Sequence, residues 1–162
     1  MKYSNYNVHY RLNGEVFDFE KEIELPHRKA VLILQQYILR MGRLGKTESV
    51  LDIGCGSGWI LRTLANSGLV NLYGIDISRG QYMKQKEKPG LPVAFAEADA
   101  YFLPFREESM DVILMSEILE HLETPADAVG EAVRVLRKGG KLLITEKRYA
   151  TLCAYTATGK LP

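Results

Sequence analysis

The segment VLDIGCGSGW, residues 50–59, constrains the fold more than any other stretch of the chain. Val50, Leu51 and Ile53 form a short apolar run of the kind found in a buried strand, and glycines at Gly54, Gly56 and Gly58 follow it directly. A helical pattern opening with Trp59, Ile60 and Leu64 comes next. Strand, bare backbone and helix in that order open a βαβ unit, and the missing side chains let a ligand touch backbone where a Cβ would intrude.

From residue 49 onward, short apolar runs alternate with helical stretches, the pattern of an α/β protein built on a doubly wound, mainly parallel sheet. Strands are expected at 49–53, 71–76, 92–97, 111–115 and 141–146. Before the last of these, Thr124 reads as an N-cap, Pro125 as the first helical residue and Asp127 as an acid in the positive first turn. Gly139-Gly140 reads as the end of that helix, whose core face would be Ala128, Val129, Ala132, Val133 and Leu136.

The first twenty residues are rich in aromatics, and Asn13-Gly14 between alternating runs suits a two-residue type I′ turn. The hairpin would pair Tyr10 with Phe17 and Val8 with Phe19 on one face, with His9 opposite Asp18 on the other. Pro26 opens an expected helix to Met41, ended by Gly42 and Gly45.

At 162 residues the chain has the size of one domain, 1–162: an N-terminal hairpin and helix (1–45), a core (46–147) and a tail (148–162). Its 21 basic and 20 acidic side chains nearly cancel, so no overall field draws nucleic acid or an anionic membrane. No apolar run approaches the roughly eighteen residues of a membrane span, and Cys55 and Cys153 are two isolated thiols. The expectation is a cytoplasmic protein without a disulfide. His27, Cys55, His121 and Cys153 lack metal-ligand spacing, so no metal is expected.

Three ligand classes compete for the glycine loop. A nucleoside triphosphate calls for a lysine at its end, and none is there. A dinucleotide calls for G-x-G-x-x-G, but Trp59 or Leu61 stands in the third position, depending on the starting glycine. What remains is D-x-G-x-G-x-G, in which Asp52 would repel a pyrophosphate and suit a cation. Asp76 closes the second strand, about twenty residues after the loop, where an acid accepts from a ribose diol. Asp99 follows the third, where a carboxylate accepts from an exocyclic amine, with Ala100, Tyr101 and Phe102 as surface for a purine.

The segments VLDIGCGSG, GIDIS and AEADAYFLPFREESMDVILMSEILEHLETPADAVGEAVRVLRKGGKLLIT resemble, in order and spacing, the motifs of the class I S-adenosylmethionine-dependent methyltransferases. The resemblance runs from residue 49 to about 147. It implies a Rossmann-like sheet of order 3-2-1-4-5, S-adenosylmethionine as cofactor, and methyl transfer to an unidentified acceptor, with a small molecule favoured over RNA or protein. It also implies a cofactor site of Asp52, Gly54, Cys55, Gly56, Gly58, Asp76, Ile77, Asp99, Ala100 and Ser116. Within that set the glycines would line the methionine and ribose, Asp76 the ribose hydroxyls and Asp99 with Ala100 the adenine edge, with Ser116 near the sulfonium. A non-catalytic binding or assembly module, completed by a partner chain, is the alternative.

Methyl transfer from a sulfonium is mainly a matter of alignment, so a catalytic base is optional. The candidates are Glu117, Glu120 and His121, with Glu117 and His121 spaced to share a helix face; local packing is the competing reading. Cys55 reads as a packing residue, and Trp59 either shields the cofactor or buries itself against the sheet. Family members usually carry a helix and two further strands after the fifth, and these are apparently missing here. The fifth strand would then be an edge, covered by tail packing or by a homo-oligomer. The N-terminal hairpin and helix would serve as a lid or as an interface.

Overall fold

The computed structural model describes residues 46–81, 90, 92–146, 151–156 and 159–160. The expected N-terminal hairpin, the helix from Pro26 and their role as a lid lie outside them. Five parallel strands form the centre: β1 (Ser49–Ile53), β2 (Asn71–Asp76), β3 (Val93–Glu97), β4 (Met110–Ser116) and β5 (Leu136–Glu146). Their order is β3-β2-β1-β4-β5, as expected, so strand order reverses beside β1 and leaves a crevice at the carboxyl ends.

Both faces of the sheet are covered, which is why its strands read as unbroken apolar runs rather than as alternating ones. Val50, Leu72, Val112 and Leu114 face α1 (Trp59–Asn66), which buries Ile60, Leu61 and Leu64 against them. Each such side chain contributes roughly 1.5–3 kcal/mol on leaving water. Leu51, Ile53, Ile75, Ile113 and Met115 point the other way, toward α2 (Pro125–Val135) and the buried Ala100, Tyr101 and Leu103. Trp59 is partly buried and packs on the α1-side core.

Several expectations around α2 need correction. Thr124 stands at the N-cap, but its hydroxyl makes no hydrogen bond, and its backbone N–H donates to Tyr101 Oη at 3.1 Å. The helix ends at Val135, not at Gly139-Gly140, because Leu136 is already extended and pairs with Met110. The two glycines lie inside β5, where the register with β4 shifts between Met110 and Val112. Gly139 takes φ +77°, and Gly140 passes so near the Asp111 carbonyl that a Cβ would sit 2.9 Å from it. Ala128, Ala132 and Leu136 are buried and Val129 partly so, but Val133 is 49% exposed. Val135 takes its place, because α2 turns its 128–132–135 face to the sheet.

Of the two covers expected for the fifth strand, tail packing is the one found, and the expectation that two further strands are missing needs correction. Thr151–Thr156 forms β6, antiparallel to β5 from Lys141↔Thr156 to Glu146↔Thr151, and Gly159–Lys160 forms the short β7 beside it. The tail thus supplies two further strands and covers the edge, leaving no bare β5 for a homo-oligomer to pair with.

Gly74, in the middle of β2, is where backbone and α1 come closest: an added Cβ would lie 2.7 Å from Leu61, 2.8 Å from Phe95 and 2.9 Å from the Cys55 sulfur. Gly74→Ala should therefore cost about 1–3 kcal/mol by overpacking. Urea unfolding would show it as a lower midpoint at constant m-value; an unchanged midpoint would contradict the packing described.

Candidate functional site

The glycine loop begins where β1 ends. Gly54, Gly56 and Gly58 have φ of 72°, 47° and 65°, values that side-chain-bearing residues rarely adopt, so the turn is tight by necessity. The three glycines serve different ends. At Gly54 a Cβ would stand 2.5 Å from Ile118 Cδ1, so this bare backbone makes room for the residue that follows β4, a wedge the sequence did not signal. At Gly56 a Cβ would meet nothing within 4 Å among the described residues, so against these the backbone faces open space. Gly58 caps α1, and its N–H donates to the Cys55 carbonyl at 2.8 Å.

Asp76 ties this loop to the second strand. Its Oδ2 accepts from Gly56 N–H at 2.9 Å and its Oδ1 from Ser78 N–H at 2.8 Å, across Ile77. The Ile75 carbonyl meanwhile accepts from the N–H groups of Gly54 and Cys55, both at 2.9 Å. Arg62 on α1 holds the Ser57 carbonyl from the far side. Burial pushes the Asp76 carboxyl above its ordinary value, against the opposing pull of the Ser78 and Gly56 N–H groups.

Asp52 lies opposite Gly74 in register and is 2% exposed. Burial first, and then the charge of Asp76, raise its pKa to about 8. Burial likewise pushes up the Cys55 thiol, aided by Asp52 and Asp76. The sulfur packs on the α1-side core, which suits the packing role and not a nucleophile.

Asp99 follows β3, next to the end of β2, where Ala98 N–H donates to the Asp76 carbonyl at 3.0 Å. Its Oδ1 accepts from Tyr101 N–H at 3.1 Å, and its carbonyl from Phe102 N–H at 3.0 Å. The surface expected for a purine differs from the one found: Ala100 and Tyr101 are buried in the core, while Phe102 is 70% exposed. Ser116 ends β4 with its hydroxyl 2.9 Å from that of Thr145.

The proposed helix face shared by Glu117 and His121 is absent. Glu117 is a non-glycine residue at φ 55°, its N–H donating to the Thr145 carbonyl at 3.1 Å. Only a three-residue 3-10 turn, Leu119–His121, follows, and Glu120 and His121 are exposed. Geometry thus gathers Asp52, Asp76 and the loop, sets Asp99 and Ser116 on the same rim, and places Glu117 and His121 on no common helix. Among the described residues, no cluster of His, Cys, Asp or Glu could hold a metal ion, and no helix is long and apolar enough to cross a membrane.

A parallel sheet of this order, with a bare turn after β1 and an acid after β2, defines a Rossmann-like nucleoside-binding domain. Residues 51–144 match the family model described as a methyltransferase domain. The chain is 36% identical over 110 residues to the ubiquinone/menaquinone biosynthesis C-methyltransferase UbiE of Campylobacter jejuni, covering 64% of this chain and 46% of that protein. It is 34% identical over 102 residues to the 27-O-demethylrifamycin SV methyltransferase of Amycolatopsis mediterranei, covering 60% and 38%. A SAM-dependent methyltransferase from Aquifex aeolicus shares the fold, with TM-score 0.62 and 24% identity over 69% of this chain and 63% of that one. The chain spans less than half the length of the two curated relatives. It belongs to the S-adenosylmethionine-dependent methyltransferase family, whose cofactor is S-adenosylmethionine.

The residues present fit that cofactor. Gly56 offers open backbone, and Asp76 spends one hydrogen bond on each oxygen. A carboxylate has about four acceptor sites, so capacity remains for a diol. Asp52 is a buried acid for which a cation would be a favourable neighbour.

The folded Asp52 titrates near pH 8 against 3.8 for a free carboxyl, so between those values the folded chain holds a proton that the unfolded chain has lost. Stability from this group is fully present below about pH 4 and is lost as pH rises toward 8. Asp52→Asn should therefore gain on the wild type between pH 4 and pH 8, by at most about 1.4 kcal/mol for each pH unit. Urea unfolding at the two pH values measures this, and parallel pH profiles would contradict it.

Proposed function

We propose that this chain binds S-adenosylmethionine at the carboxyl rim of β1, β2 and β3 and passes its methyl group to a small-molecule acceptor. One observation carries the reading: the Asp76 carboxylate is hydrogen-bonded to Gly56 N–H, so acid and glycine loop act as a single unit beside open backbone. A nucleoside can then meet a fixed acceptor and a fixed turn together.

In this reading Asp76 and Ile77 border the ribose, and Gly54, Cys55, Gly56 and Gly58 form the turn around the methionine part. Asp52, protonated in the empty fold below about pH 8, would be drawn to ionise beneath the cationic end and then supply negative potential there. Asp99 accepts from the exocyclic amine of adenine and the Ala100 backbone meets the ring edge. Ser116, held by Thr145, lies on the side of the reacting group. The cofactor supplies a methyl group on an excellent leaving group, so the chain's task is to orient the partners and exclude water. No base is assigned; Glu117 and His121 stand as candidates by their place after β4 alone.

A small acceptor is supported by the near-zero net charge and by the absence of a basic stripe in the sequence. It is also supported by relatives named for quinone biosynthesis and for rifamycin methylation. The two isolated thiols support a cytoplasmic setting.

Asp76→Ala should weaken S-adenosylhomocysteine binding by about 1.5–3 kcal/mol in calorimetry; unchanged affinity would remove its assigned role. Labelled-methyl transfer to separate pools of metabolites, RNA and protein tests the activity. Label in the metabolite pool supports the reading, and label in none favours a binding module.

A further inference from the structure

The segment after β3 that carries Asp99 is fastened to α2 by one pair of charged side chains. Glu131 Oε1 accepts from Leu103 N–H at 2.9 Å. Arg134 grips Glu131 with both ends of its fork, Nε to Oε2 and Nη2 to Oε1, each at 2.7 Å. The same guanidinium reaches the Phe105 carbonyl from Nη1 and Nη2 at 3.1 Å and the Leu103 carbonyl at 3.3 Å. A planar fork with several fixed donors does this where a lysine would not. Further along, Glu108 N–H and Ser109 N–H donate to the carbonyls of Arg134 and Val135 at 3.0 and 2.8 Å.

At its other end the segment is held by the Tyr101 hydroxyl, which accepts from Thr124 N–H at 3.1 Å. Asp99 stands just before these anchors, in one tight turn with Ala100 and Tyr101, its Oδ1 fixed on Tyr101 N–H. The bonds of Glu131 and Arg134 described above involve neither Asp99 nor the glycine loop; they hold the backbone that follows the turn, at Leu103 and Phe105. A loop without such supports drifts by fractions of an ångström, enough to spoil a directional hydrogen bond.

We infer that Glu131 and Arg134 are positioning residues for base recognition: through Leu103 and Phe105 they hold the Asp99 turn so that the site prefers adenine to a purine carrying a 6-oxo group. The inference rests on Asp99 as the acceptor for the exocyclic amine. A 6-oxo purine presents an oxygen where that amine would be, so a well-held carboxylate rejects it.

The test compares binding of S-adenosylhomocysteine with S-inosylhomocysteine by calorimetry, alongside thermal unfolding, for the wild type, Asp99→Asn, Glu131→Ala, Glu131→Gln and Arg134→Lys. The wild type should prefer the adenosyl compound by at least about tenfold, and Asp99→Asn should abolish the preference. Glu131→Ala and Arg134→Lys should reduce it severalfold, and Glu131→Gln, which keeps an acceptor for Leu103 N–H, should restore much of it. Should Glu131→Ala be too unstable to bind either compound, Arg134→Lys against Glu131→Gln decides. A preference intact in the Glu131 and Arg134 variants but lost in Asp99→Asn overturns the inference alone. A preference intact in Asp99→Asn overturns the Asp99 reading and the inference with it.

Discussion

A single carboxylate at the end of β2 organises this domain's upper rim. Asp76 accepts from Gly56 on the loop and from Ser78 in its own turn. The glycine turn and the strand beside it are therefore tied together. Charge-assisted hydrogen bonds of this kind are about twice as strong as neutral ones, and here they are drawn from partly buried groups. The cost of burying the charge remains visible in the raised titration of Asp76 and, more strongly, of its neighbour Asp52. Two acids so placed on one face form a site with a built-in demand for positive charge.

The rest of the fold makes that arrangement possible. Parallel strands with both faces covered bring the ends of β1, β2, β3 and β4 to one side. Small residues then let the layers close: Gly74 admits Leu61, Phe95 and Cys55, and Gly54 admits Ile118. The Glu131–Arg134 pair does for the third strand's turn what Asp76 does for the first loop, fixing backbone through its own polar groups.

Period and punctuation made much of this legible in the sequence. The strand positions at 49–53 and 71–76 agree residue for residue, because fully buried runs bounded by turn residues have little freedom to shift. The misjudged places are those where tertiary contact overrides local pattern. Gly139-Gly140 looks like a helix stop, but Leu136 finds a strand partner in Met110 before the helix reaches it. Tyr101 looks like an exposed aromatic until Thr124 N–H supplies a partner for its hydroxyl in the core. Tail packing on β5 is one of the two covers expected, but its antiparallel register could not be read from the tail's own weak pattern. Site residues followed the same division. Acids after strands were visible as motifs, whereas the bonds by which they hold the loop, and the Ile118 wedge at Gly54, exist only in three dimensions.

The most direct measurement is the crystal structure of this chain grown with S-adenosylhomocysteine. The account predicts a nucleoside in the crevice between the glycine loop and the end of β2, with its ribose hydroxyls on the Asp76 carboxylate and its amine on Asp99. An empty crevice under saturating ligand, or the nucleoside seated elsewhere with Asp76 bonded only to Gly56 and Ser78, would contradict it.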